Sequence, residues 1–156
     1  MNKFTNAFEN LFEFNKITLS LNKVIERNSW DKEAIMPTGA LADRAQEQAS
    51  LMIIAHKRQT SNEFSDLLNS VKIESLSKAQ LRQVSLMRKE LIRALKVPNE
   101  LIGALAKETT LAHSVWVDAR KDNDFQQFLP QFTKVLKLRK EEADAIRQDT
   151  DLSRYD

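Results

Sequence analysis

The chain has 156 residues, of which only 2 are glycine, 3 are proline and none is cysteine. So few turn residues exclude collagen-like and low-complexity classes, and they disfavour a β-sandwich or barrel, which needs a turn every ~8–12 residues. The 24 basic and 22 acidic residues leave a net charge of +2, and no basic stripe runs uninterrupted, so we expect no nucleic acid partner.

The amino-acid composition also limits the cellular compartment of the protein and the kinds of disulfide or metal site that it can form. Without cysteine, neither a disulfide framework nor a thiolate metal site can form. No stretch approaches the ~18 apolar residues of a membrane span. The first residues are soon followed by Glu9 and Glu13, which does not suit a secretory signal. We therefore expect a cytoplasmic protein with no membrane partner.

Between the few helix breakers, apolar residues recur every three or four positions, which is the period of a helix. The sequence therefore predicts an all-α fold, an array or bundle of five to six helices, in a single helical domain over residues 1–156. A connection is predicted over 30–38, where Met36 precedes a proline and should be extended. The predicted helices of the first half cover 2–28, 39–57 and a short segment from a Ser61 cap to Leu68.

Capping signals mark the helices of the second half. Ser77 and Gln80 have the spacing of a capping box, in which each side chain accepts a hydrogen bond from the other residue's backbone N–H. Pro98 ends that helix, and another follows it. Asp124 is typical of an acidic helix cap. Pro130 fits the first turn of the last helix, where its missing N–H costs nothing.

The residues of the chain form no complete catalytic set. His56 and His113 lie on different predicted helices, and neither begins the H-E-x-x-H pattern of a zinc-binding helix, so we expect no metal site. His56 is expected to be exposed near a helix C-terminus, and His113 to lie on the surface or in the core with one hydrogen bond. Glu108 is the one acid on an apolar stripe. An internal ion pair with an arginine from another helix, such as Arg44, or a position at the core boundary is favoured over a catalytic role, because a buried charge needs a partner.

Two segments carry sequence motifs that are more informative about the protein family than the overall composition of the chain. The first reads W-D-K-E-A-I-M-P over residues 30–37, and the second reads W-V-D-A-R-K-D-N-D-F over residues 116–125. Both resemble the N-terminal region of the carboxypeptidase Taq family of zinc metallopeptidases, and their order and separation fit as well. Lys32 departs from the glutamine that is common there. The motif residues are Trp30, Asp31, Met36, Pro37, Arg44, Trp116, Arg120, Asn123, Asp124, Phe125 and Pro130.

This resemblance implies an almost wholly helical enzyme, much longer than this chain, that removes single C-terminal residues from peptides. It implies a zinc ion held by the histidines of an H-E-x-x-H helix and a later glutamate, none of which has a match here. We therefore expect the N-terminal part of a metallocarboxypeptidase, a wall and lid of the substrate groove without catalytic residues. Its expected partners are the missing catalytic portion and, in the full enzyme, a peptide substrate. The isolated chain should bind no zinc and hydrolyse no peptide.

The motif residues also have structural interpretations, which we favour over contact with substrate. The two motif tryptophans are expected to pack as large, buried apolar side chains. Each of the two motif arginines is expected to bind carboxylates through its guanidinium N–H groups. Residues 122–124 are expected to form the turn and cap between two helices. These roles require only a helical scaffold and no substrate.

Two other functions stay open at this point. A stand-alone helical module that binds a partner helix suits long amphipathic helices, and the reading frame beyond Asp156 distinguishes it from the enzyme. A nucleic-acid-binding helical domain would require salt-sensitive binding to a polyanion. Because a truncated piece should expose apolar surface, we also expect a homo-oligomer, a dimer through the first helix or the helix over 99–120.

Overall fold

The computed structural model describes residues 7–148, 150–151 and 153–154, with the backbone alone at position 38. Over these residues the chain forms six α-helices and two short 3₁₀ turns, and it forms no strand. The predicted all-α array of five to six helices is confirmed. The helices are α1 (Ala7–Ala34), α2 (Leu41–Gln59), α3 (Asn62–Ser70), α4 (Lys78–Leu95), α5 (Asn99–Lys121) and α6 (Phe125–Arg147), and the 3₁₀ turns are Thr38–Ala40 and Ile73–Ser75.

The first helix is longer at its C-terminal end than predicted, and the connection after it is shorter. α1 continues through Trp30 to Ala34, so the predicted start of the connection at Trp30 is wrong. The backbone N–H of Met36 donates to the Asp31 carbonyl oxygen at 3.0 Å and closes the last turn. No helix breaker precedes the proline at position 37, so the helix runs on almost to it. The predicted beginning of this helix, 2–6, lies outside the described residues.

The predicted helix caps in the middle of the chain are present. The Ser61 hydroxyl accepts a hydrogen bond from the Phe64 N–H at 3.2 Å at the start of α3. At the start of α4, the Gln80 N–H donates to the Ser77 hydroxyl at 3.3 Å, and the Ser77 N–H donates to the Gln80 side chain at 2.9 Å. These local bonds fix where both helices begin, as the sequence spacing predicted.

An apolar core joins α1, α3 and α4. The rings of Phe14 and Phe64 stack with their centroids 5.6 Å apart. The Arg58 guanidinium lies 3.9 Å from the Phe14 ring centroid and donates to the Phe14 carbonyl oxygen at 3.1 Å. This cation–π contact attaches the end of α2 to the core. The buried residues of the core are Leu11, Phe14, Phe64, Leu68, Val71, Val84 and Leu91.

The most extensive helix contact is between α2 and α5, and it is built from small residues. α2 buries Ala45 and Ala49, and α5 buries Gly103 and Ala106. A Cβ atom added to Gly103 would lie only 2.7 Å from Cδ1 of Ile53, so the glycine is what allows Ile53 to lie against the α5 backbone. Small side chains let the two helices approach closely, and α1 then packs on α2 and α6 on α5.

The last helix is tied at both ends. At its N-terminus the Asp124 carboxylate accepts from the Gln126 N–H at 2.9 Å, so the predicted cap is present. At its C-terminus the Lys96 ammonium donates to the carbonyl oxygens of Ile146 at 3.0 Å and Gln148 at 2.9 Å. A cation at this end satisfies carbonyls that have no partner within the helix and also favours the helix dipole.

Pro130 lies inside α6, and the prediction that it occupies the first turn is wrong. Because Asp124 is the cap, Phe125 is the first helical residue, and Pro130 falls in the second turn. There the missing N–H leaves the Gln126 carbonyl without a helical donor. Pro130 is exposed, so water can bind that carbonyl and the helix continues.

The α2–α5 contact predicts that Gly103→Val destabilises the fold. The added side chain overlaps Ile53, whose side chain must move and repack, and this should lower the free energy of unfolding by about 1–3 kcal/mol. Urea denaturation followed by circular dichroism measures it. Gly39→Val is the matched control, because a Cβ at Gly39 meets nothing within 4 Å. Equal losses from both variants would contradict the prediction.

Candidate functional site

The first motif is held by an arginine that reaches two carboxylates. Nη2 of Arg44 lies 2.6 Å from Oδ2 of Asp31, and Nη1 lies 2.7 Å from Oε2 of Glu47. The Asp31 contact is an ion pair without the alignment of a good hydrogen bond. Both of its side chains are about one-quarter exposed, at 25% and 27%. Arg44 therefore forks onto carboxylates as predicted, and it joins the end of α1 to the start of α2.

Of the two environments expected for Glu108, the ion pair with Arg44 is wrong, whereas the boundary position agrees with a half-buried residue. The Gln131 side-chain N–H donates to Oε2 of Glu108 at 2.6 Å and to the Glu108 carbonyl oxygen at 3.3 Å. Arg44 is already engaged by Asp31 and Glu47, and Glu108 lies on α5, where it faces α6. The acid on the apolar stripe is thus satisfied by a neutral amide, and it ties α5 to α6.

A histidine joins the two motif segments. Nε2 of His113 lies 3.3 Å from Oε1 of Glu33, which belongs to the first motif. The His113 ring is also 5.9 Å from the Trp116 ring, which begins the second motif. Sequence reasoning missed this link because the two residues are far apart along the chain. The one available signal was that Glu33 stands inside the first motif.

The other histidine is buried, and the prediction that it is exposed is wrong. His56 is 9% exposed. Its Nε2 lies 3.0 Å from the Ala94 carbonyl oxygen, and its Nδ1 lies 2.9 Å from Oδ1 of Asn99. His56 therefore ties α2 to the connection between α4 and α5, and both of its nitrogens are occupied.

The turn between α5 and α6 explains two residues of the second motif. Asn123 has φ of 53°, the left-handed conformation that asparagine tolerates better than most side chains. The Asp124 N–H donates to the Ala119 carbonyl oxygen at 2.8 Å, and the Asn123 N–H donates to the Arg120 carbonyl oxygen at 3.3 Å. This is the paired bonding of a Schellman motif. Asp124 then caps α6, so a single turn ends one helix and begins the next.

A small pocket opens at this same turn, and we refer to it as the corner pocket. It has a volume of about 170 Å³. Three of its seven lining residues are aromatic, and the ring centroids of Phe125 and Phe128 lie 6.4 Å apart. Its lining residues are Trp116, Ala119, Arg120, Asn123, Asp124, Phe125 and Phe128.

The motif tryptophans are not buried anchors in this chain. Trp30 is 66% exposed and Trp116 is 46% exposed, so both present their rings to solvent. Among the residues that the structure describes, no carboxylate pairs with Arg120, so its predicted fork is not found. Pro37 begins the 3₁₀ turn after α1 with an extended backbone, at φ of −61° and ψ of 143°. The exposed motif residues mark surface that the described part of the chain leaves uncovered.

The described residues offer neither a group of metal ligands nor a helix that could span a membrane. They contain no cluster of three or more histidine, cysteine, aspartate or glutamate side chains placed to hold a metal ion. His56 and His113 are engaged by different helices, which explains why they form no shared site. None of the helices in this part of the chain combines the length and hydropathy that crossing a membrane requires.

These features define an all-helical scaffold with polar ties between helices and an aromatic pocket at one corner. Its fold matches the crystal structure named BsuCP with a TM-score of 0.89 at 20% identity, covering 96% of this chain and 30% of that one. It matches Trypanosoma cruzi metallocarboxypeptidase 1 with a TM-score of 0.72 at 23% identity, again covering 96% and 30%. At such low identities, these matches establish the fold.

Sequence comparison identifies the family. The profile of the carboxypeptidase Taq (M32) metallopeptidases matches residues 10–156, so the chain belongs to that family. Thermostable carboxypeptidase 1 of Thermus thermophilus is 29% identical over 144 residues, which cover 90% of this chain and 28% of that protein. The chain therefore spans less than a third of the length of the relatives it matches, as expected of an N-terminal portion.

The ion pair at the end of α1 predicts a modest but specific stability effect. Asp31→Asn should lower the free energy of unfolding by about 1 kcal/mol. This value is the upper end of the range for surface ion pairs, and it applies because the Asp31 pair is partly buried. Thermal unfolding followed by circular dichroism tests it. The control is Glu13→Gln, which removes a pair whose side chains are 62% and 66% exposed and should change stability by less than about 0.3 kcal/mol. Similar effects would show that the Asp31 pair contributes nothing special.

The left-handed residue between α5 and α6 predicts a contrast between two substitutions. Asn123→Val should cost about 1–2 kcal/mol, because a β-branched side chain clashes with the backbone at positive φ. Asn123→Gly should be tolerated, since glycine adopts this conformation freely. Chemical denaturation of both variants measures the difference. If valine is as stable as glycine, the turn does not depend on this conformation.

Proposed function

We propose that this chain is the N-terminal helical part of a longer metallocarboxypeptidase that removes C-terminal residues from peptides. Residues 1–156 would act as one structural unit that forms a wall and lid of the substrate groove. Family membership over 10–156 supports a peptidase. The short span relative to the Thermus thermophilus carboxypeptidase supports a chain that works with a much larger catalytic portion.

The observation that carries this proposal is the excess of exposed surface. The accessible surface of the chain is 11022 Å², whereas a compact monomer of 18.0 kDa should expose about 8000 Å². The excess includes large apolar side chains, such as Ile35 at 70%, Ile92 at 61% and Leu95 at 59% exposure. Surface of this kind is typical of a face that another part of the protein covers.

The proposed role is to enclose the peptide and to exclude water, with bond cleavage left to residues elsewhere in the enzyme. The sequence contains no H-E-x-x-H motif. His56 and His113 do not fit a shared metal site, because His56 contacts Ala94 and Asn99, whereas His113 contacts Glu33. The zinc proposed for the enzyme would therefore be bound outside residues 1–156, where it would activate a water molecule for attack on the peptide.

The deciding experiment extends the chain. We expect the reading frame beyond Asp156 to encode an H-E-x-x-H helix and the extended protein to release C-terminal residues from N-blocked peptides. A chelator should abolish this activity and zinc should restore it, whereas the 156-residue chain should be inactive under the same conditions. Peptidase activity and stoichiometric zinc in the 156-residue chain would refute the proposed role.

The alternative is a stand-alone helical interaction module, and the exposed apolar faces favour it as a second candidate. On α1, the exposed residues Phe12, Leu19 and Trp30 fall on one side of the helix, which offers a surface for the homo-oligomer that we expect of the isolated chain. A stop codon directly after Asp156 would decide for the module and against the enzyme.

A further inference from the structure

Three residues of the second motif are not explained by the turn between α5 and α6. Asn123 and Asp124 form that turn and cap the helix after it. The side chains of Trp116, Arg120 and Phe125 take no part in these bonds. All three line the corner pocket and are exposed, Trp116 by 46% and Phe125 by 57%. The pocket is therefore where the motif side chains without a role in the turn come together.

Aromatic rings from both helices give the corner pocket an apolar side. Trp116 comes from α5, and Phe125 and Phe128 come from α6. The Phe128 ring centroid also lies 5.8 Å from that of Phe132, so the rings on α6 form one packed group. An apolar cavity of about 150 Å³ is large enough for benzene, so a pocket of about 170 Å³ has room for one aromatic or branched apolar side chain.

Arg120 gives the same pocket a positive charge. Its side chain is exposed, and among the described residues no carboxylate pairs with it. A guanidinium binds a carboxylate through two parallel N–H···O hydrogen bonds, and these charge-assisted bonds are stronger than neutral ones. The described part of the chain does not supply the carboxylate that the sequence predicts for this arginine, so a ligand can supply it.

The one acid of the pocket lining is already engaged. Oδ1 of Asp124 accepts from the backbone N–H of Gln126 at 2.9 Å and of Gln127 at 3.3 Å. The lining thus holds one guanidinium and one carboxylate that caps a helix, and it contains no second cation. A phosphate group, with about two negative charges, would be poorly neutralised by this set. A single carboxylate attached to an apolar group matches both the charge and the rings.

The walls of the pocket are held in place before a ligand arrives. The Schellman bonds and the left-handed Asn123, whose φ is 53°, join the α5 side to the α6 side. Trp116 and Arg120 are four residues apart on α5, which places them on the same face of that helix. Binding would therefore order little backbone, and a small ligand can bind without a large entropic cost.

We propose that the corner pocket binds one apolar amino acid by its α-carboxylate, with the carboxylate on Arg120 and the side chain against Trp116 and Phe125. Two sources share this chemistry. One is the C-terminal residue of a peptide, and the other is the free amino acid that hydrolysis of that residue releases. The choice of these sources rests on the proposed function, whereas the chemistry of the pocket does not.

The test follows the fluorescence of Trp116 in the 156-residue chain. The chain contains 2 tryptophans, so Trp30→Phe leaves Trp116 as the only one. Titration with N-acetylphenylalanine should change the emission of Trp116 until the pocket is saturated. N-acetylphenylalanine amide lacks the carboxylate and N-acetylglycine lacks the side chain, so each should bind at least about tenfold more weakly.

Two further ligands distinguish the sources. Free phenylalanine and the dipeptide alanylphenylalanine carry the same carboxylate and the same side chain, and they differ at the α-nitrogen. Tighter binding of the dipeptide would assign the pocket to a peptide C-terminus. Tighter binding of phenylalanine would assign it to the released amino acid. Either result supports the proposal.

Three variants locate the contacts with the ligand. Arg120→Gln should weaken binding of N-acetylphenylalanine at least about tenfold and remove its preference over the amide, because only the acid uses the guanidinium. Lys121→Gln is the matched control, since it removes the same charge from an adjacent exposed residue that does not line the pocket. Phe125→Ala should weaken binding of the acid and of the amide alike. Circular dichroism checks that each variant stays helical.

Equal binding of the acid and the amide would overturn the proposal, as would equal losses from Arg120→Gln and Lys121→Gln. The absence of saturable binding would do the same, and so would displacement of N-acetylphenylalanine by a lower concentration of inorganic phosphate. If the extended reading frame lacks H-E-x-x-H while Arg120-dependent binding persists, the proposed function fails and the pocket keeps its ligand. An active extended enzyme whose N-terminal chain binds none of these ligands gives the opposite result.

Discussion

The architecture depends on the close approach of α2 and α5. Alanines on α2 and Gly103 on α5 leave almost no side chain between the helices, so Ile53 lies against the α5 backbone. Specific polar bonds attach α1, α4 and α6 to this pair, whereas α3 packs on the apolar core. Arg44 forms an ion pair with α1, His56 forms a hydrogen bond with the end of α4, and Glu108 forms a hydrogen bond with α6. Each bond crosses between helices, so the scaffold is held in register by a few directional contacts as well as by apolar burial.

The same bonds show where sequence reasoning succeeds and where it stops. The caps at Ser77 and Asp124 involve residues a few positions apart, so spacing alone predicts them. The partners of Arg44 and His56 lie on other helices, and nothing in the local pattern specifies which carboxylate or carbonyl they reach. The predicted Arg44–Glu108 pair is therefore wrong, because Arg44 reaches Asp31 and the side chain that bonds Glu108 is a neutral amide. The exposure of Trp30 was missed for the same reason.

The structure assigns physical roles to the residues of the family motifs, and the composition of the chain alone could not predict these roles. Asn123 and Asp124 are required by a turn that ends one helix and caps the next. Glu33 connects the first motif to the second through His113. The motif aromatics Trp116 and Phe125, by contrast, line a pocket that is open to solvent. Motif residues thus divide into those that build the scaffold and those that meet whatever lies outside it.

The hydrogen bonds from Lys96 to the last carbonyl oxygens of α6 affect how this helix could bind a partner. The Asp124 cap and the Lys96 contact fix α6 at both ends, and among the described residues α5 is the helix that packs along it. A surface held in this way is ordered before it meets a partner, so little conformational entropy remains to be lost on contact. Its affinity would then be set by how well the partner's shape and charge match an already rigid template.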